Sequence, residues 1–120
     1  MGSFAVLLEV GDLAGSQSIE VEALVDTGAT YTALPSDMLT RLGVAQEGIR
    51  RFELADNHIV EYPVGQARIR LEGNDLILIL LVVFAPNDSS PLLGATTLEM
   101  FGLGVDPVGL KLIPVTALLK

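Results

Sequence analysis

The chain has 120 residues, half of them apolar, and twelve glycines and six prolines spread along it, enough for one hydrophobic core with many turns. This composition excludes disorder and argues against a helical bundle, which tolerates few residues of either kind. Fifteen acidic and seven basic side chains leave a net charge of −8, and with no lysine before Lys111 and glutamates beside Arg50-Arg51 and Arg68/Arg70, no basic surface is expected for nucleic acid.

Cysteine is absent, which removes disulfides and thiol chemistry and fits a reducing, cytoplasmic setting. The first ten residues, MGSFAVLLEV, lack the positive region and long apolar stretch of a secretory signal. Residues 4–10 read as a strand and residues 11–17 as the loop after it. Ile19, Val21 and Ala23 then alternate with Glu20, Glu22 and Leu24, the period of two of a strand with one face on a core. Asp26-Thr27-Gly28 breaks that strand. Extended character resumes over residues 30–34, and Pro35-Ser36-Asp37 opens a short helix with Met38, Leu39 and Leu42 on one side and Gly43 as its stop.

Residues 48–71 alternate along two long arms with Asp56-Asn57 as the turn, a hairpin signal. The ten apolar residues 76–85 fall short of the about 20 that span a bilayer as a helix, and their β-branched content and flanking turns read as a buried strand. Residues 86–91 form a polar loop. Thr96 and Glu99 fit a capping box for a helix over residues 97–101 stopped by Gly102, and residues 111–116 form a final strand with Pro114 at an edge. No repeat and no linker divides the chain, so one domain over residues 1–120 is expected.

The chemistry concentrates at Asp26. An apolar strand delivers it, a hydroxyl and a glycine follow at once, and the glycine permits backbone N–H groups to approach a carboxylate closely. An ordinary Asx-type turn capped by its own aspartate also fits these three residues. The wider segment ALVDTGAT followed by TALP resembles the active-site signature of retroviral-type aspartic peptidases, the group that includes retropepsins and half of each pepsin-like enzyme. Later, Leu92-Leu93-Gly94 before a helix is similar to the family's second hydrophobic-glycine segment, which passes behind the active-site loop; Gly94 as a plain helix-entry turn is the alternative.

The resemblance implies an all-β, retropepsin-like closed β-barrel with one or two short helices. It implies a catalytic Asp26, supported by Thr27, Gly28, Ala29, Leu93 and Gly94, with the Thr27 side chain linking two active-site loops across a dimer. It also implies a flap over residues 52–64, whose tip Ala55, Asp56, Asn57 and His58 lacks the family's glycines. His58 is the sole histidine and lacks metal partners, so it reads as a polar turn residue; neither a metal nor another cofactor is expected.

Such chemistry uses two carboxyl groups sharing one proton, and this chain has one Asp-Thr-Gly. A homodimer is therefore implied, with Asp26 of each subunit flanking the two-fold axis, and the family resemblance further implies that the chain-end segments 4–10 and 111–116 interleave. The substrate would be an extended peptide or protein, with Leu24, Ile49, Leu54, Ile59 and Val82 as apolar lining. Two other readings stand beside this one: a dimeric peptide-binding or adaptor protein using the same groove without turnover, and a monomeric β-domain of unrelated function.

Overall fold

The computed structural model describes residues 3–119; Met1, Gly2 and Lys120, which the expected 1–120 domain includes, lie outside them. In chain order the strands are β1 (Ala5–Gly11), β2 (Ser18–Val25), β3 (Thr32–Pro35), β4 (Gly48–Glu53), β5 (Ile59–Leu71), β6 (Ile77–Ala85), β7 (Leu92–Leu93), β8 (Leu103–Asp106) and β9 (Lys111–Pro114). Two helices, α1 (Ser36–Arg41) and α2 (Ala95–Met100), follow β3 and β7. Among the described residues no helix is long and apolar enough to cross a membrane.

Seven strands form one mixed sheet in the order β1-β2-β7-β3-β6-β5-β4, and β8 and β9 form a separate antiparallel pair. The expectation of an all-β closed barrel is thereby corrected. The two short helices are as expected, but β8–β9 stand apart and the large sheet ends at β4, which pairs with β5 alone, so no barrel closes. A turn back of β1 onto β5 adds register pairs only at residues 8–11, and β7 contributes two residues to its ladder with β2.

The thirteen-residue β5 organises this arrangement. Its first half, residues 59–64, pairs with β4; its second half, residues 64–70, pairs with β6, and residues 68–71 pair with β1. Burial changes along it accordingly. Ile59 is exposed, whereas Ala67, Ile69 and Leu71 are buried and alternate with half-buried Arg68 and Arg70, so one strand serves as a projecting arm and then as core wall. Residues 8–11 of β1 have strands on both sides, β2 and β5, whereas residues 5–7 pair with β2 alone.

The core gathers Leu8 and Val10 of β1, Leu34 of β3, Leu39 of α1, Ile69 of β5, Val82 and Phe84 of β6 and Leu98 of α2. Each such aliphatic side chain contributes about 1.5–3 kcal/mol on full burial. The apolar run of β6 follows its position: its C-terminal half lies between β3 and β5 and is buried, while Ile77 and Ile79 near its start are exposed. Helix α1 matches its sequence signals, with Leu39 and Leu42 buried and Gly43 at φ +84° after it; the Asn87 side chain accepts from the Asp37 N–H at 2.8 Å.

Helix α2 begins earlier than expected. Gly94, extended at φ −90°, is its N-cap with no side-chain cap, and the Thr96 N–H donates to the Thr30 carbonyl at 2.9 Å. The expected capping box is therefore not formed: the start of the helix is fixed by tertiary bonds to the segment after Asp26.

Candidate active site

Asp26 directly follows β2, at the point where that strand leaves the sheet, and is exposed. Its backbone N–H donates to the Leu93 carbonyl at 3.0 Å, and its carbonyl accepts from the Ala29 N–H at 3.2 Å. The Gly28 N–H donates to Asp26 Oδ1 at 2.9 Å, and a Cβ on Gly28 would meet that oxygen at 3.2 Å. This contact by itself is what an Asx turn makes. What sets the loop apart from a free-standing turn is the second segment clamped to it.

That segment is β7 with the start of α2. Leu92 and Leu93 pair in parallel with Leu24 and Val25, Leu92 also faces Ala33 across an antiparallel contact, and Leu93 is fully buried. Beyond it, the Ala95 N–H donates to the Ala29 carbonyl at 2.8 Å. Gly94 lies against the backbone: an added Cβ would sit 2.5 Å from the Tyr31 carbonyl oxygen and 2.9 Å from the Thr32 nitrogen. Only a residue without a side chain permits that approach.

Two buried hydroxyls complete the clamp. Thr32 Oγ1 and Thr97 Oγ1 are 2.7 Å apart, and Thr32 Oγ1 also accepts from the Gly94 N–H at 3.1 Å. Both threonines are almost wholly buried, and these bonds satisfy polar groups that are expensive to leave unpaired. Sequence reasoning missed this pair. Sixty-five residues separate the two threonines, and neither carries a local signal beyond its place next to a motif.

Beside the loop opens a cleft of about 680 Å³. Gly28, Ala29, Thr30 and Tyr31 form one wall, residues 50–54 of the β4 arm another, and Ser89, Ser90 and Leu92 a third. The arm is braced by aromatic contacts. Phe52 meets Tyr31 edge-on at 6.2 Å between ring centroids and stacks on Tyr62 at 6.2 Å, while Arg50 Nη1 donates to Tyr31 Oη at 3.0 Å. Of the five apolar side chains expected to line the groove, Leu54 does; Leu24, Ile49 and Ile59 are exposed elsewhere, and Val82 is in the core.

The tip between β4 and β5 closes without glycine. Asn57 takes φ +71°, a left-handed conformation that asparagine tolerates better than most residues, and the Leu54 N–H donates to the His58 carbonyl at 2.8 Å. His58 Nδ1 lies 2.7 Å from Asp56 Oδ2, and this bond, joined by the His58 N–H on Oδ1, holds the Asp56 carboxyl below the usual aspartate range. Ala55, Asp56, Asn57 and His58 thus form one exposed turn. Among the described residues no cluster of three His, Cys, Asp or Glu side chains is arranged to hold a metal ion.

Comparison with solved structures places this geometry in a known fold. The protease of EIAV, solved in complex with the inhibitor HBY-793, aligns over 84% of this chain and 89% of its own at a TM-score of 0.57 and 19% identity. A retropepsin-like aspartic protease from Rickettsia conorii aligns over 88% of this chain and 94% of its own, at a TM-score of 0.51 and 18% identity. No curated protein matches the sequence. Residues 15–100, which carry both Asp26 and the Gly94 segment clamped to it, match the family described as "gag-polyprotein putative aspartyl protease". With well over half of its length matched, the chain belongs to this gag-polyprotein aspartyl protease family.

Proposed function

We propose that the protein is an aspartic endopeptidase that hydrolyses peptide bonds with water activated between Asp26 of one subunit and Asp26 of a second, identical one. The observation that carries this reading is the exposed Asp26 carboxylate, held by the N–H of Gly28, which itself lines the cleft, and backed by the Leu93 carbonyl on its own N–H. One carboxylate takes a proton from water as it attacks the scissile carbonyl, and the protonated partner donates to the carbonyl oxygen. Membership of an aspartyl protease family supports the same assignment.

In this reading Thr27 links the two loops across the two-fold axis, while Ala29, Leu93 and Gly94 hold the Asp26 loop in place. The arm of β4 and β5 is the flap, with Ala55, Asp56, Asn57 and His58 at its tip. Because β4 pairs on one side only, it offers a strand edge beside the cleft to an extended substrate. The whole chain supplies one half of the active site, and no cofactor enters the mechanism.

The second reading, a dimeric binding protein that uses the groove without turnover, rests on the flap tip without glycine; that tip nonetheless closes as a turn, with Asn57 in the left-handed conformation. The test is cleavage of a mixed library of apolar peptides between about pH 3 and 8, the range that brackets carboxyl titration. Wild-type protein cleaves, with a rate that rises and falls over acidic pH, and Asp26→Asn stays dimeric with activity at background. A dimeric Asp26→Asn protein that cleaves at the wild-type rate refutes the assignment.

A further inference from the structure

Building on the reading of the cleft as a peptide groove, we propose that Arg50 makes it select substrates with an acidic side chain, whose carboxylate is received by the Arg50 guanidinium and the Tyr31 hydroxyl. The chain carries a net charge of −8 and only seven lysines and arginines, yet Arg50, one of the two arginines that border the cleft, stands on its wall. Its place is fixed. Nη1 donates to Tyr31 Oη at 3.0 Å, and Cζ lies 5.7 Å from the Tyr31 ring centroid.

Among the described residues no carboxylate forms an ion pair with it: those pairs join His58 to Asp56 and Arg70 to Glu9. A guanidinium has five N–H donors in a planar fork suited to a carboxylate, and the bond to Tyr31 engages one nitrogen. Tyr31 accepts that bond, so its own O–H is left to donate. The two groups therefore present converging donors and no acceptor with a negative charge. Arg51 and Glu53 also border the cleft, but strand alternation sets them on the face of β4 opposite Arg50, and their charges offset each other.

Phe52 and Tyr62 place apolar surface next to the cation, so a bound peptide that covers the cleft shields the contact from water and strengthens it. A neutral amide in the same position satisfies fewer donors and gains no ionic attraction. The alternative role for Arg50 is structural, a clamp fastening the arm to Tyr31. The two roles differ in what charge reversal does.

The experiment measures binding to the Asp26→Asn protein, which holds peptides without turnover, by fluorescence anisotropy. Peptides are acetylated and amidated at their ends, so that only side chains carry carboxylates, and are compared in pairs differing by Glu against Gln or Asp against Asn at one position. At one position the acidic member binds at least about fivefold more tightly, as expected for a charge-assisted contact, and the preference shrinks with added salt. Adding Arg50→Gln removes the preference and leaves the amide peptide within about twofold, and Arg50→Glu turns it toward Lys. Equal binding of both members at every position, or an Arg50→Gln change that weakens acid and amide peptides alike, overturns the proposal. Cleavage of the same peptides by the Asp26-containing protein separates it from the reading beneath: acid-selective binding with no cleavage refutes the peptidase but upholds Arg50, and cleavage blind to charge does the reverse.

Discussion

Substituting Gly94 by alanine perturbs the joint on which the candidate site rests. The new methyl would lie 2.5 Å from the Tyr31 carbonyl oxygen and 2.9 Å from the Thr32 nitrogen, and both are backbone atoms that no rotamer change can move aside. The two segments must separate. Forced overpacking of this kind costs about 1–3 kcal/mol. Separation also stretches the bonds from the Gly94, Ala95 and Thr96 N–H groups to Thr32 Oγ1, Ala29 O and Thr30 O, at about 1 kcal/mol for each one weakened. The expected loss is about 2–5 kcal/mol, a large part of the about 5–15 kcal/mol that holds a typical domain folded. Urea unfolding at fixed protein concentration measures it, as a lower midpoint with an unchanged slope. Gly48→Ala is the control, since nothing lies within 4 Å of an added Cβ there. A Gly94→Ala midpoint equal to that of Gly48→Ala would refute the claim that this contact clamps the site.

Thr32→Val leaves the buried Gly94 N–H and Thr97 hydroxyl without their partner and costs about 1–3 kcal/mol by urea unfolding; adding Thr97→Val costs less than the sum of the single changes, because the two share one bond. At the tip, Asn57→Gly is tolerated, whereas Asn57→Val, a β-branched residue at φ +71°, destabilises the turn and raises amide exchange over residues 54–58. The lowered Asp56 carboxyl makes the same turn pH-sensitive. A depressed native pKa contributes stability above the usual aspartate range and loses it as pH falls through the native value, so NMR signals of residues 54–58 shift on acidification below that range, and Asp56→Asn abolishes the shift.

Features with a local cause were legible in the sequence. The alternation of β2, the Asp26-Thr27-Gly28 break, the Gly43 stop after α1 and the turn at Asp56-Asn57 each rest on neighbouring residues, and each lies where the sequence signals it. Features made by distant partners were not. Strand β7 has two residues and exists only because β2 and β3 flank it, and β8, with Gly104 in its middle, is defined by its pairing with β9. Gly65 shows the same limit. It reads as an ordinary strand glycine, yet an added Cβ would collide with the Ala45 carbonyl oxygen. The Thr96 and Glu99 capping pattern misplaced the start of α2 because the Thr96 N–H is already bonded to Thr30. Tyr31, Arg50, Phe52 and Tyr62 are likewise scattered in sequence and become one cluster only when the β4–β5 arm packs against Tyr31.

The proposed peptidase mechanism requires two Asp26 carboxyl groups meeting across a two-fold axis. A crystal structure of the assembled protein measures their separation directly. That mechanism predicts carboxyl oxygens about 3 Å apart, close enough to share one proton, with the two Gly28 N–H groups on their flanks. A dimer that holds the two Asp26 carboxyls beyond reach of each other, or a monomer at the concentration where peptides are cleaved, would contradict it.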